Sequence, residues 1–193
     1  LKDIILEVKE KKIDGVNITV PFKNMVIPYL DQLSKEAEKT KSVNTVYLKN
    51  KKVIGHNTDI DGFEKAINKI NFNLSDKKIF ILGAGGVVPS IVYALNKMGA
   101  INIFISNRTK AKAQMVKDIF NNLNIVDWGD MPEFDVIINA TSLGLNKDDK
   151  IELDFSTVGN NKLFYDIIYN PSETNFLKTG KKLGNRCENG KLM

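Results

Sequence analysis

Gly83-Ala84-Gly85-Gly86 follows a short apolar run, Lys78 to Leu82, and precedes a helical pattern. Glycines at such a junction permit a tight turn and let backbone N–H groups approach a pyrophosphate at the positive end of the helix. The third glycine of the usual fingerprint is absent: Val88 stands in its place and Gly86 comes early. A plain strand-to-helix turn would use the same residues, so their neighbours decide. At the end of the next apolar run stand Ser106, Asn107, Arg108 and Thr109, with no carboxylate. An NAD-selective site puts an acid there, on the ribose 2′-hydroxyl. An arginine with hydroxyl and amide donors suits a 2′-phosphate instead, and Lys112, one turn on, adds charge. Capping of a helix by Thr109 beside a solvated Arg108 competes with that reading, and the two are compatible. Asn139-Ala140-Thr141-Ser142-Leu143-Gly144 follows a further apolar run. Open α/β sheets bind ligands at the carboxyl ends of their strands, where Thr141 and Ser142 could line a nicotinamide ribose; a plain turn is the alternative.

Two more residues could act in proton chemistry. Lys23 comes just after Pro21 at the end of a strand-like run, and Asp59 follows Asn57-Thr58 at the start of a helical pattern. From spacing alone, Lys23 reads as a solvated loop lysine and Asp59 as a helix cap.

The elements that must position these residues fall into two regions. From residue 78 to 139 short apolar runs alternate with helical patterns, Ile91 to Met98 and Ala111 to Phe120. Strands apolar on both faces and separated by helices imply a parallel sheet covered on both sides. A further strand is expected at Leu163 to Ile167 and a helix from Glu173 to Lys182. In the first 60 residues, Ile4, Ile5 and Val8 suit an amphipathic helix, and Asp14 to Val20 alternates like a strand. Val43 to Leu48 and Val53 to His56 flank Asn50-Lys51 as a hairpin, and a helix is expected from Asp61.

Composition removes several function classes. The chain has 193 residues, 42% hydrophobic and 26% charged, with a net charge of +5. That is the composition of an ordinary globular protein. Its basic residues are scattered lysines with two arginines, Arg108 and Arg186, and no basic tract is interleaved with aromatics, which speaks against nucleic acid as a partner. No apolar run approaches the roughly 18 residues of a membrane span. The single cysteine, Cys187, reads as an inert thiol and fits a reducing cytosol, so a cytoplasmic location is expected.

The run Gly15 to Lys23 resembles the GxNVTxPxK motif of shikimate dehydrogenases. Ser42-Val43-Asn44-Thr45 resembles their AVNT element, and Asn57-Thr58-Asp59 with Gly62-Phe63 their NTDxxGF. GAGG, NRT and NATSxG follow in the same order. Tyr165 to Pro171 with Thr174 and Leu177 is similar to YDxxYxPxxTxxL, and Asn189 to Met193 to the start of the helix that closes the substrate pocket. The resemblance implies an α/β protein, a partial N-terminal substrate-binding lobe followed by a Rossmann-like NADP-binding domain. It implies reversible reduction of 3-dehydroshikimate to shikimate with NADPH. Lys23 and Asp59 would be the catalytic pair, with Thr19, Asn44, Asp59 and Tyr169 around the substrate. Gly83, Gly85, Gly86, Asn107, Arg108, Thr109, Lys112, Thr141, Ser142 and Ile167 would hold NADP, with no metal. A free lysine, with a pKa near ~10.4, is a poor base at neutral pH, so both roles stay open for Lys23: proton carrier or fixed cation polarising the oxygen.

The chain departs from the family pattern in places. Lys41 stands where the family usually has Gly, Ser42 replaces an Ala, and Leu145 replaces a common Met. The resemblance also implies an SxSP segment before Leu1 and a pocket glutamine beyond Met193. The 193 residues alone are therefore expected to be a fragment with weak or no turnover. The expected domains are 1–60, an incomplete substrate and catalytic lobe; 61–185, the nucleotide domain; and 186–193, the start of a return to the first lobe. Competing readings are an NAD-using quinate/shikimate dehydrogenase and an inactive NADP-binding paralogue. The residues do not separate a monomer from a homodimer.

Overall fold

The computed structural model describes all 193 residues, in two lobes, each built on its own sheet. The first holds helix α1 (Lys2–Lys9), strands β1 (Gly15–Asn17) and β2 (Gln32–Leu33), helix α2 (Lys35–Thr40), and the hairpin of β3 (Thr45–Lys49) and β4 (Lys52–His56). Its sheet runs β1-β3-β4-β2, antiparallel except for the β2–β4 pair. The hairpin turns at Asn50 and Lys51 with φ of 51° and 63°, the left-handed pair that matches strand twist. Ile5 and Val8 of α1 close over Val43, Val46 and Val53 to make a small core.

The strand expected over 14–20 is shorter. Its ladder ends at Asn17, and after Ile18 the chain folds back so that Phe22 N–H donates to the Thr19 carbonyl at 2.8 Å. Pro21 has no N–H for a ladder, and the bend carries Lys23 out of the sheet. Two elements were not anticipated, β2 and α2. Both are too short to show a period, although α2 has a regular N-cap: Ser34 Oγ accepts from Ala37 N–H at 3.2 Å.

The end of α2 explains a family departure. Lys41 sits at the helix C-cap with φ 48° and ψ 38°, a left-handed conformation that glycine adopts freely. A residue with a Cβ costs about 1–2 kcal/mol there, part of which is offset because glycine has more freedom in the unfolded chain. Lys41→Gly is expected to raise unfolding free energy by about 0.5–1 kcal/mol. Denaturant melts showing a loss instead would mean that Lys41 makes a compensating contact.

The second lobe begins with α3 (Asp59–Lys69), followed by β5 (Lys78–Leu82), α4 (Val88–Lys97), β6 (Asn102–Ser106), α5 (Lys110–Lys117) and β7 (Leu123–Ile125). Then come β8 (Val136–Asn139), β9 (Leu163–Asp166), α6 (Asn175–Lys182) and β10 (Arg186–Asn189). All six strands are parallel in the order β10-β9-β8-β5-β6-β7. The chain winds outward from β5 in one direction and from β8 in the other. The crevice between those two strands is the topological switch point where such sheets bind ligands. Ile79, Ile81, Val136 and Ile138 are fully buried, as strands covered by helices on both faces require.

Two expected boundaries move. Helix α3 starts at Asp59 rather than Asp61, and Ile60 and Phe63 lie in the large core, so a boundary after residue 60 would cut the helix. Residues 186–189, expected to leave for the first lobe, instead add β10 to the edge of the large sheet, where the backbone of β9 offers free partners. Arg186 is held there by a 2.6 Å hydrogen bond from its guanidinium to the Ile70 carbonyl. No helix is long and apolar enough to cross a membrane.

Candidate active site

The local fold brings Lys23, Asn44 and Asp59 to one point. Lys23 arrives from the bend after β1, Asn44 from the start of the hairpin, and Asp59 from the first turn of α3. Lys23 Nζ donates to Asp59 Oδ2 at 2.6 Å, and Asn44 Nδ2 donates to Asp59 Oδ1 at 2.9 Å. The side chains of Lys23 and Asp59 are only 11% and 17% exposed, so their charges are partly desolvated and hold each other firmly. Asp59 therefore does not cap its helix, and Lys23 is not a freely solvated loop lysine. Asn44 is itself fixed, because its Oδ1 accepts from Thr58 N–H at 2.9 Å.

Asn57 is the rivet between this cluster and the second lobe. Fully enclosed, it donates through Nδ2 to the Ser42 carbonyl at 2.9 Å and to Ser90 Oγ, on α4, at 2.8 Å. Its Oδ1 accepts from Asp59 N–H at 3.1 Å, which sets the first residue of α3. Ser42, the residue that replaces the family alanine, donates to the Gly86 carbonyl at 3.0 Å. The same glycine faces Lys23: a Cβ added to Gly86 would lie 3.8 Å from Lys23 Cδ. The aliphatic stem of Lys23 thus lies beside the glycine turn, while its ammonium is held by Asp59.

That turn forms the floor of a cleft of about 760 Å³ at the switch point. Gly83, Gly85, Gly86, Asn107, Arg108, Lys112, Thr141, Ser142, Ile167 and Tyr169 all line it, and Val20 reaches it from the first lobe. Gly83 has φ 104°, and a Cβ there would stand 2.7 Å from the Ala140 carbonyl oxygen, so this close crossing of strands β5 and β8 admits only glycine. Arg108 and Lys112 are exposed and form no ion pair within the chain. The cleft fits NADP on these grounds: a glycine-rich turn before a helix, two free cations beside it, and no acid at the end of β6.

Other expected site residues take different positions. Asn107 spends its side chain inside the protein, accepting from Ala84 N–H at 3.1 Å and donating to the Thr109 carbonyl at 2.8 Å. It shapes the glycine turn from below. Thr109 precedes α5 without a side-chain capping bond and does not line the cleft. Thr141 Oγ1 is likewise engaged, donating to Asn139 Oδ1 at 2.7 Å and accepting from Leu143 N–H at 3.0 Å. Tyr169 is exposed and lines the cleft, while Thr19 is exposed just before Val20 and is not among the lining residues.

A buried carboxylate that the sequence offered no role for fixes one wall. Asp166 is fully enclosed and accepts from Asn139 Nδ2 at 3.0 Å, Ile168 N–H at 3.0 Å and Thr174 Oγ1 at 2.6 Å. Burial pushes its pKa above the usual carboxylate range, against the downward pull of those three bonds. It ties the ends of β8 and β9 to the start of α6. Cys187 is inert for a related reason: burial pushes its thiol up to about 11. No group of three or more His, Cys, Asp or Glu is placed to hold a metal ion.

A doubly wound sheet with a phosphate-type glycine turn, joined to a lobe that sets a lysine paired with an aspartate beside that turn, is the architecture of a two-lobed dinucleotide-dependent dehydrogenase. The family model for the shikimate dehydrogenase substrate-binding domain matches residues 1–46, and the shikimate / quinate 5-dehydrogenase model matches residues 64–168. The chain is 51% identical over 193 residues to the shikimate dehydrogenase (NADP(+)) of Pelagibacter ubique, covering all of this chain and 73% of that one. Among solved structures, the shikimate dehydrogenase of Aquifex aeolicus superposes with a TM-score of 0.89 at 37% identity, covering 100% of this chain and 71% of the other. The Thermus thermophilus shikimate 5-dehydrogenase, in complex with NADP(H) and shikimate, gives 0.87 at 30% identity, covering 98% and 71%. The chain belongs to the shikimate dehydrogenase family.

Proposed function

We propose that this chain carries the NADP-dependent, reversible reduction of 3-dehydroshikimate to shikimate, with Lys23 and Asp59 as the catalytic pair. The observation that supports this reading is the 2.6 Å Lys23–Asp59 contact, with the Lys23 stem beside Gly86 of the nucleotide cleft. Bound NADP(H) supplies or accepts the hydride. Lys23 Nζ holds the proton at the oxygen that alternates between hydroxyl and ketone. Asp59 keeps the ammonium aimed and accepts from a neighbouring substrate hydroxyl. Asn44 restrains the other carboxylate oxygen, and Thr19 and Tyr169 border the substrate at the mouth. Gly83, Gly85 and Gly86 give the pyrophosphate its backbone donors, while Arg108 and Lys112 meet the 2′-phosphate. Asn107, held by the Thr109 carbonyl, and Thr141 serve the cofactor by shaping the cleft, and Ser142 and Ile167 flank the nicotinamide half. A cytoplasmic location belongs to this reading, supported by the lone cysteine.

Steady-state turnover of the intact protein with NADP⁺ and NAD⁺, each with shikimate and quinate, tests the assignment. The largest kcat/KM is expected for NADP⁺ with shikimate. A larger value for NAD⁺ or for quinate would replace this assignment with the quinate/shikimate alternative. Binding of NADP⁺ without turnover of either acid would leave a nucleotide-binding paralogue.

A further inference from the structure

We propose that the indole of Trp128 is the platform on which the adenine base of the dinucleotide stacks, which makes Trp128 a binding residue for the adenosine half of the cofactor. The inference rests on the dinucleotide reading of the cleft. Trp128 is the only tryptophan in the chain, and it follows β7 in a tight turn closed by Asp130 N–H donating to the Asp127 carbonyl at 3.1 Å. An ion pair between Lys110 Nζ and Asp127 Oδ1, 2.6 Å long, ties that turn to the first turn of α5.

The ring has two environments. Part of it packs against the apolar cluster that includes Phe80 and Phe134, which fixes its plane, and part of it lines the cleft shared with Gly83, Arg108 and Lys112. The winding of the sheet says which half of the ligand meets it. The pyrophosphate belongs at the glycine turn after β5, and the 2′-phosphate belongs at Arg108 after β6. The adenosine half therefore extends over β5, β6 and β7, and the nicotinamide half over β8 and β9. Trp128 stands at the end of β7, on the adenosine side. A purine offers two flat faces on which an aromatic ring can stack. A rigid, half-buried aromatic plane is the complementary surface.

The native chain reports on itself, since all indole emission comes from Trp128. Titration with 2′,5′-ADP and with NADP⁺ is expected to quench or shift that emission saturably, whereas nicotinamide mononucleotide leaves it unchanged. Trp128→Leu keeps an apolar, though smaller, side chain against the core and removes the aromatic face. It is expected to weaken 2′,5′-ADP binding by about 5- to 100-fold by calorimetry, while Trp128→Phe retains most of the affinity. Calorimetric binding of 2′,5′-ADP to the native chain with unchanged indole emission would overturn the proposal, as would native affinity in Trp128→Leu. Absence of any calorimetric binding of NADP⁺ or 2′,5′-ADP would overturn the dinucleotide reading together with it, so the two failures are told apart.

Discussion

Lys23→Ala is expected to lower kcat by about 10²–10⁴, the usual worth of a positioned acid–base group, with a smaller change in the KM for shikimate. The geometry makes the effect large for two reasons. Nζ is held 2.6 Å from Asp59 with only 11% of the side chain exposed, so its position is fixed by the fold rather than by solvent. Removing the ammonium also leaves the Asp59 carboxylate, 17% exposed, with Asn44 as its remaining partner, and a half-buried charge without its counter-ion distorts what is left. Lys23→Met separates the two contributions, because it keeps the aliphatic stem packed on Gly86 and removes only the charge. Lys23→Arg restores charge but brings a broad planar fork where a compact ammonium sat, and is expected to recover little. Thermal melts of each variant establish that the fold survives. A kcat for Lys23→Met within a few-fold of native, at saturating substrate and cofactor, would remove Lys23 from the chemistry.

Arg108→Ala is expected to be the second largest change, and it is selective. A charge-assisted hydrogen bond to a phosphate contributes about 1.5–3 kcal/mol, which corresponds to roughly 10- to 150-fold in affinity. NADP⁺ should weaken by about that factor while NAD⁺, which lacks the 2′-phosphate, is nearly unaffected. Because Arg108 is exposed, the native preference for NADP⁺ should itself shrink as salt rises. Lys112 shares the same side of the cleft and would keep a residual preference in the variant. The check is the ratio of the dissociation constants for NADP⁺ and NAD⁺ in both proteins at two ionic strengths. An unchanged ratio in Arg108→Ala would move the 2′-phosphate away from this residue.

Much of the large lobe was legible in the residues because its strands are buried on both faces. Ile79 to Leu82 and Val136 to Ile138 could be apolar throughout only in a covered parallel sheet, and the glycines at 83, 85 and 86 marked the ligand end of one of them. Elements at the margins left no such mark. Strand β10, Arg186 to Asn189, is an edge strand with mostly polar side chains, and β2 has two residues. Both exist because a neighbouring strand offers free backbone partners, which is a property of the neighbour. Lys41 is the reverse case: a residue unsuited to its left-handed position is held there by the packing of α2.

By itself the sequence determined the fold class, the nucleotide end of the sheet and the absence of an acid beside Arg108, and through resemblance it singled out Lys23 and Asp59 as the proposed pair. Only the tertiary structure decided that these two, 36 positions apart, meet at 2.6 Å, and that Ser42 and Asn57 lock their lobe to the glycine turn and to α4, respectively. It also decided that Asn107 braces the turn from within, that Asp166 ties one wall together, and that Trp128 opens onto the cleft. The physical reason is the range of the interactions. Periodicity, caps and turns act over a few residues and are written in local composition. Contacts across 20 to 50 residues depend on the summed geometry of every loop between them, and that sum exists only in the folded chain.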